Sequence, residues 1–282
     1  MKIKSWQADL SLLMAAAIWG GTFIIVKKAI VDIPTFTFLT TRFAIAALSL
    51  AVLRLRRSYW TVKGIWKSGF FIGLLLFGGY GLQTVGLQYT SAAKTGFITG
   101  LSVVLVPLIV AVVDRKVPTK RTTLGIILAT IGLGLLSLNG FHVAYGDFLV
   151  FLGALCFAGH IYSVAHFSES YDAITITSIQ LFVVAILSGF AMLIGEMNMT
   201  IVWSNNVWWG LLLTAIPATS LAFVLQNGLQ RYTTPTHTAL IFATEPIFSY
   251  IFAYFLANEV LTTKYAIGAA LIVIGIICAE TD

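Results

Sequence analysis

Charge is what this chain lacks. Only 10% of its residues are Asp, Glu, Lys or Arg, against 59% that are apolar. A soluble domain of 282 residues could not bury that much apolar surface in one core, so lipid must solvate part of it. Cysteine is nearly absent as well. Cys156 and Cys278 stand alone in apolar stretches, without CxxC or metal-ligand spacing. That excludes a disulfide framework and a thiolate metal site, and both read as small apolar residues. GxxxxGK[ST], HExxH and GxSxG are missing too, so the chain carries no ATP-driven pump, zincin site or hydrolase elbow. No polar run is long enough to hold a catalytic domain. The chain is therefore read as a non-enzyme without cofactor or metal, and any enzyme here would have to work inside the membrane.

What is present is a series of ten apolar stretches: Asp9–Lys27, Thr35–Arg54, Ile65–Gln88, Ala92–Val113, Arg121–Asn139, Asp147–Phe167, Ile174–Gly195, Val207–Gln230, Pro235–Ala257 and Lys264–Ala279. A spanning helix needs about 20 apolar residues, and internal Gly or Pro is tolerated there. The stretches are rich in Leu, Ile, Ala and Gly and lack the period-2 alternation of an outer-membrane barrel. Lys2 and Lys4 ahead of the first stretch have the outline of a secretory signal, but nine more stretches follow, so it is read as the first span.

The net charge of +6 invites a nucleic-acid partner, and its placement argues against one. With ten spans both termini share a side. Taking that side as cytoplasmic puts twelve Lys and Arg inside and four (Lys27, Lys28, Lys94, Lys264) outside, with Arg42 within a span. The positive-inside rule is satisfied. The reading is a multi-pass protein of the cell's plasma (inner) membrane, both termini cytoplasmic.

The first five stretches echo the last five. Asp9 aligns with Asp147, Trp66 with Trp208, and Gly86-Leu87-Gln88 with Gly228-Leu229-Gln230. After one inserted residue Lys94 aligns with His237, Gly125 with Gly268, and Ile131-Gly132 with Ile274-Gly275. An odd number of spans per half forces opposite orientations. The expected fold is an all-α integral membrane protein of ten transmembrane helices in two inverted five-helix repeats, 1–140 and 141–282. Inverted repeats recur in secondary transporters, with the solute site near the midplane between them.

Several motifs now stand in order: Trp19-Gly20-Gly21-Thr22-Phe23, Arg42, Gly86-Leu87-Gln88-Tyr89-Thr90-Ser91-Ala92 with Lys94, Gly96-Phe97-Ile98-Thr99-Gly100-Leu101, Val106-Pro107, then Glu245-Pro246 and Glu259. With them the chain resembles an EamA-type member of the drug/metabolite transporter superfamily over roughly Asp9 to Ala279. The resemblance implies ten helices around a central cavity, alternating access, and transport of small metabolites, often amino acids and frequently outward. The second half departs from the first in having Phe157-Ala158-Gly159 at the Trp-Gly position.

Glu245 is the most informative residue. It lies deep in the ninth stretch, where a charge costs roughly 2.5–3.5 kcal/mol on insertion scales, so it must face protein or water. Two roles stand open: a proton or substrate-amine site, or a carboxyl tying helices together before Pro246. Lys94 and His237, near the starts of spans 4 and 9, oppose the helix dipole, which favours anions there. They suit a carboxylate site, or, for Lys94, a side chain snorkelling to phosphates and, for His237, a neutral hydrogen-bonding group. Arg42, about 10 Å into span 2, would pair with a carboxylate of the protein or substrate, or hold carbonyls at a helix break; a protein partner is expected from the second half. Tyr80 and Gln83 share a helix face, and Gln226 and Asn227 recur in span 8; they line a cavity or tie helices together. Trp19 and Phe23 form a cavity wall or a packing face. Gly125/Gly132 and Gly268/Gly275 notch spans 5 and 10 for packing on each other or on a second copy, a homodimer. The expected partners are a small-molecule metabolite and the lipid bilayer. An intramembrane lipid-modifying enzyme and a non-transporting scaffold are the alternatives.

Overall fold

The computed structural model describes residues 5–137, 144–167, 170–257 and 263–280. The expected span end at Asn139 and Glu259 lie outside them. Among the described residues the chain is all helix, with no strand. The molecule is built inside out. Leu48, Val112, Phe190 and Ile194 are exposed, while Arg42, Gln180, Gln226 and Asn227 are buried. That is the distribution lipid selects.

Seven segments are long and apolar enough to cross a membrane: Ser5–Ala29, Thr35–Val52, Ile65–Tyr89, Ala92–Val113, Tyr145–Phe167, Ala173–Gly195 and Asn205–Tyr232. The other three expected stretches are also helical, as Lys120–Ser137, as Pro235–Phe242 followed by Glu245–Ala257, and as Thr263–Glu280.

Four of the expected spans are interrupted. The first is α1 (Ser5–Gly20) and α2 (Thr22–Ala29). After the continuous α3 (Thr35–Val52), the short α4 (Arg57–Trp60) and α5 (Ile65–Tyr89), the fourth span breaks at Leu101 between α6 (Ala92–Gly100) and α7 (Ser102–Val113). Then come α8 (Lys120–Ser137), α9 (Tyr145–Phe167) and α10 (Ala173–Gly195). The eighth expected span runs through α11 (Asn205–Ala215), a π-helical turn at Ile216–Leu221 and α12 (Ala222–Leu229). Pro217 accounts for that turn: it has no N–H to continue the ladder, and the backbone widens there. The ninth breaks at Ala243-Thr244 between α13 (Pro235–Phe242) and α14 (Glu245–Ala257), and α15 (Thr263–Glu280) follows.

The continuous helices pack in pairs, α5 on α9, α3 on α10, and α8 on α15. Small residues set the last contact. A Cβ on Gly125 would stand 2.4 Å from the Gly275 carbonyl oxygen, and one on Gly132 2.5 Å from that of Gly268. The notched faces of the fifth and tenth expected spans therefore meet each other within the chain. The α3–α10 pair is clasped at both ends. Glu196, just past α10, accepts the free N–H groups of Phe36 and Thr37 at 2.8 and 2.7 Å, where Pro34 offers no side-chain cap. At the other end Arg54 pairs with Asp172 at 3.1 Å, and Asp172 caps α10 through the Thr175 N–H.

Candidate functional site

A cavity of about 610 Å³, counting its open mouth, lies where the interrupted helices meet. Its wall is assembled at the breaks. Trp19 ends α1, and Thr22 and Phe23 begin α2; Thr99, Gly100 and Ser102 flank Leu101; Phe223 and Gln226 follow the π turn; Phe242 and Glu245 stand on either side of Ala243-Thr244. Two continuous helices complete it, α5 with Tyr80 and Gln83 and α9 with Phe157, His160 and Ile161. A broken helix leaves backbone groups without intrahelical partners, which is tolerated at membrane depth only inside protein or beside a wet cavity.

Glu245 is the first residue of α14, where the helix dipole favours a carboxylate. Gly20 puts it there. A Cβ on Gly20 would lie 2.5 Å from the Glu245 carbonyl oxygen, so only glycine lets α1 rest against the start of α14. The Glu245 carboxylate lines the cavity and has no hydrogen-bond or ion-pair partner among the described residues.

The aromatic wall is interlocked. The Trp19 indole N–H donates to the Ala218 carbonyl of the π turn at 2.7 Å. The Trp19 ring packs at 5.2 Å from Phe223 and 5.0 Å, edge-on, from Phe242. Tyr80 meets Phe157 edge-on at 5.2 Å. Trp19, Phe23, Tyr80, Gln83, Gln226 and Glu245 were all marked by sequence, and the fold brings them into one lining.

Four marked residues stand elsewhere. Arg42 is buried beside the wall rather than in it. Its guanidinium carbon lies 4.9 Å from the Tyr80 ring centroid and 5.2 Å from that of Phe43. Its Nε donates to Thr219 Oγ1 at 2.8 Å, and its Nη2 has no hydrogen-bond partner. The protein partner does come from the second half, but it is a hydroxyl in the π turn and not a carboxylate. Asn227 turns toward α10, donating to Thr177 Oγ1 at 2.9 Å, and so ties helices together. Lys94 pairs with Asp147 at 3.2 Å, and His237 approaches Asp9 at 3.8 Å. Lys94, Arg42 and His237 therefore do not assemble a common carboxylate site with Glu245. The structure instead joins the four residues that the repeat had aligned, Lys94 with His237 and Asp147 with Asp9, into two matching pairs.

Sequence reasoning missed Phe157, Phe223 and Phe242 because one Phe among 20 carries no contrast inside an apolar run. His160 also belongs to the lining. It shares an α9 face with Phe157, three residues away, and its Nε2 meets Gln180 Oε1 at 3.1 Å. Among the described residues no group of His, Cys, Asp and Glu could hold a metal.

The sequence pattern of the EamA-like transporter family matches residues 6–138 and again 144–281. The chain belongs to the EamA-like transporter family. It is thus a multi-pass membrane protein of a transporter family. An uncharacterized transporter of Archaeoglobus fulgidus is 38% identical over 282 residues, 98% of this chain and 86% of its own length. The uncharacterized transporter YoaV of Bacillus subtilis is 25% identical over 95% of this chain and 94% of its own. A solved crystal structure superposes with a TM-score of 0.80 over 99% of this chain and 98% of that one, at 19% identity, and so shares the fold.

Proposed function

We propose that this protein is a secondary transporter that exports small organic metabolites by alternating access, with Glu245 as the polar anchor of the solute or of a coupling proton. The observation that carries the reading is the cavity itself: an unpartnered carboxylate at the start of a half-helix, walled by the breaks of four helices. Discontinuous helices around a midplane site are the recurrent device of secondary transporters. His160 shares the lining, but its Nε2 is engaged by Gln180, so it gives Glu245 no catalytic partner. That favours transport over an intramembrane enzyme.

The same reading takes the chain as ten transmembrane helices in two inverted repeats, 1–140 and 141–282, in the plasma (inner) membrane with both termini cytoplasmic. The family pattern matches twice, once in each half. The breaks correspond too: Leu101 follows Lys94 by as many residues as Thr244 follows His237. The Lys94–Asp147 and His237–Asp9 pairs each join one half to the other. We take them as latches on opposite faces, one closing the outer mouth and one the inner.

Counterflow tests the reading. Purified protein in liposomes, loaded with one unlabelled metabolite and given a labelled trace outside, accumulates label only if it exchanges that solute. Accumulation that disappears in Glu245→Ala is the expected result. No accumulation across amino acids, amines, sugars and nucleosides, with protein shown to be folded, would overturn it.

A further inference from the structure

Glu245 is the only Asp, Glu, Lys or Arg in the cavity lining among the described residues. Several of the donors around it are committed to protein, while the Tyr80, Thr99 and Ser102 hydroxyls also stand in the lining. The Trp19 N–H is held by the Ala218 carbonyl, the Gln83 amide by Thr99 at 2.8 Å, and the Thr22 hydroxyl by the Trp19 carbonyl at 2.7 Å. Gln226 donates its amide to Gln230 Oε1 at 3.1 Å, and Gln230 in turn donates to the Ile161 carbonyl at 2.6 Å. That relay fixes the orientation of the Gln226 amide: with Gln230's NH₂ on a carbonyl, its oxygen must receive the NH₂ of Gln226. The Gln226 oxygen is then left buried, with no partner, on a residue only 1% exposed.

The lining thus sets two acceptors without a protein partner, the Glu245 carboxyl and the Gln226 oxygen, against an aromatic wall of Trp19, Phe23, Phe157 and Phe223. Ring faces carry negative charge density and attract cations, most strongly when the cation is desolvated. No Lys or Arg is part of the lining. Lys94 is paired with Asp147, and Arg42 lies beyond the Tyr80 ring, outside the lining. A zwitterion would leave its carboxylate facing acceptors and rings, at the cost of a desolvated, unmatched charge.

Resting on the cavity as the solute site, we infer that the solute is an organic monocation, an amine or quaternary ammonium on an apolar or aromatic body, and not an amino acid. The ammonium sits between Glu245, Gln226 and the aromatic faces, and the body fills the apolar remainder.

Three probes of one shape test it on the purified full chain by calorimetry: phenethylamine, phenylalanine and 2-phenylethanol. Phenethylamine should bind at least on the order of tenfold tighter than either of the others, since only it brings a cation without a carboxylate. Gln226→Leu and Glu245→Gln should each shrink that preference, and Glu245→Gln should abolish it. Equal or tighter binding of phenylalanine to the wild-type chain would overturn the inference without need of any variant, as would no binding of phenethylamine. Counterflow with the same probes separates the two readings. Phenethylamine that binds but is not exchanged would sink the transporter and keep the cation site. Exchange of a carboxylate-bearing metabolite without phenethylamine would keep the transporter and sink the cation site.

Discussion

At membrane depth Arg42 donates to the Thr219 hydroxyl and lies against the Tyr80 and Phe43 rings. A hydrogen bond to a charged group is worth about 1.5–3 kcal/mol, and removing it strands the charge. Replacing a buried charge outright by an apolar side chain of similar volume is often neutral. Thr219→Val should therefore lower thermal stability in detergent more than Arg42→Met does; the reverse order would show that Thr219 is not what holds the guanidinium. Gly20 makes a second prediction. Gly20→Ala drives a methyl into the Glu245 carbonyl and the start of α14, costing about 1–3 kcal/mol by overpacking. It should weaken solute binding as well, because the atom it displaces belongs to the anchor residue. Calorimetry on Gly20→Ala beside a lipid-facing control, Leu48→Ala, checks both. At this scale the sequence was informative where chemistry contrasts with surroundings. Glu245 stood out in an apolar run; Phe223 and Phe242 did not. The Trp19 indole bond could not be read, because its acceptor is a backbone carbonyl 199 residues away.

Among the elements, the α3–α10 pair carries its own pH dependence. Burial pushes the Asp172 carboxyl up, but hydrogen bonds from Arg54 and from the Thr175 N–H outweigh it and hold the group below its ordinary range. A carboxyl lowered by folding contributes stability above its unfolded value and loses that contribution as pH falls through the folded one. The melting-temperature gap between wild type and Asp172→Asn should therefore be widest near neutrality and narrow on acidification. A constant gap would mean that Asp172 acts only as a cap. The helices themselves were legible from hydrophobic length, and the notches of α8 and α15 from glycine spacing. The π turn was not, because a proline within an apolar stretch signals a defect without saying which. The pairing of Lys94 with Asp147 was also hidden, although the repeat had singled out each of them. Alignment identifies counterparts; it does not say which counterparts touch.

For the whole molecule, the two latches make the most demanding prediction. In a background lacking Cys156 and Cys278, a cysteine at Thr99 reports access to the cavity. Lys94→Ala should raise its labelling by a membrane-impermeant thiol reagent added from outside, and His237→Ala should raise labelling from the cytoplasmic side. Equal effects of both variants from one side would rule out latches on opposite faces. The solute was not legible in the sequence, since it depends on which polar atoms are left over after the protein has satisfied itself.

The glycine contact between α8 and α15 has a consequence for how such a chain can change. Gly125 faces the Gly275 carbonyl and Gly132 that of Gly268, backbone against backbone. Enlargement at any of these four positions cannot be offset by trimming the residue opposite, because the residue opposite is already the smallest available. That seam has no room to drift. The cavity wall is made of side chains and can be redrawn one ring or one amide at a time. A lineage built on this plan can exchange its cargo while the seam stays as it is.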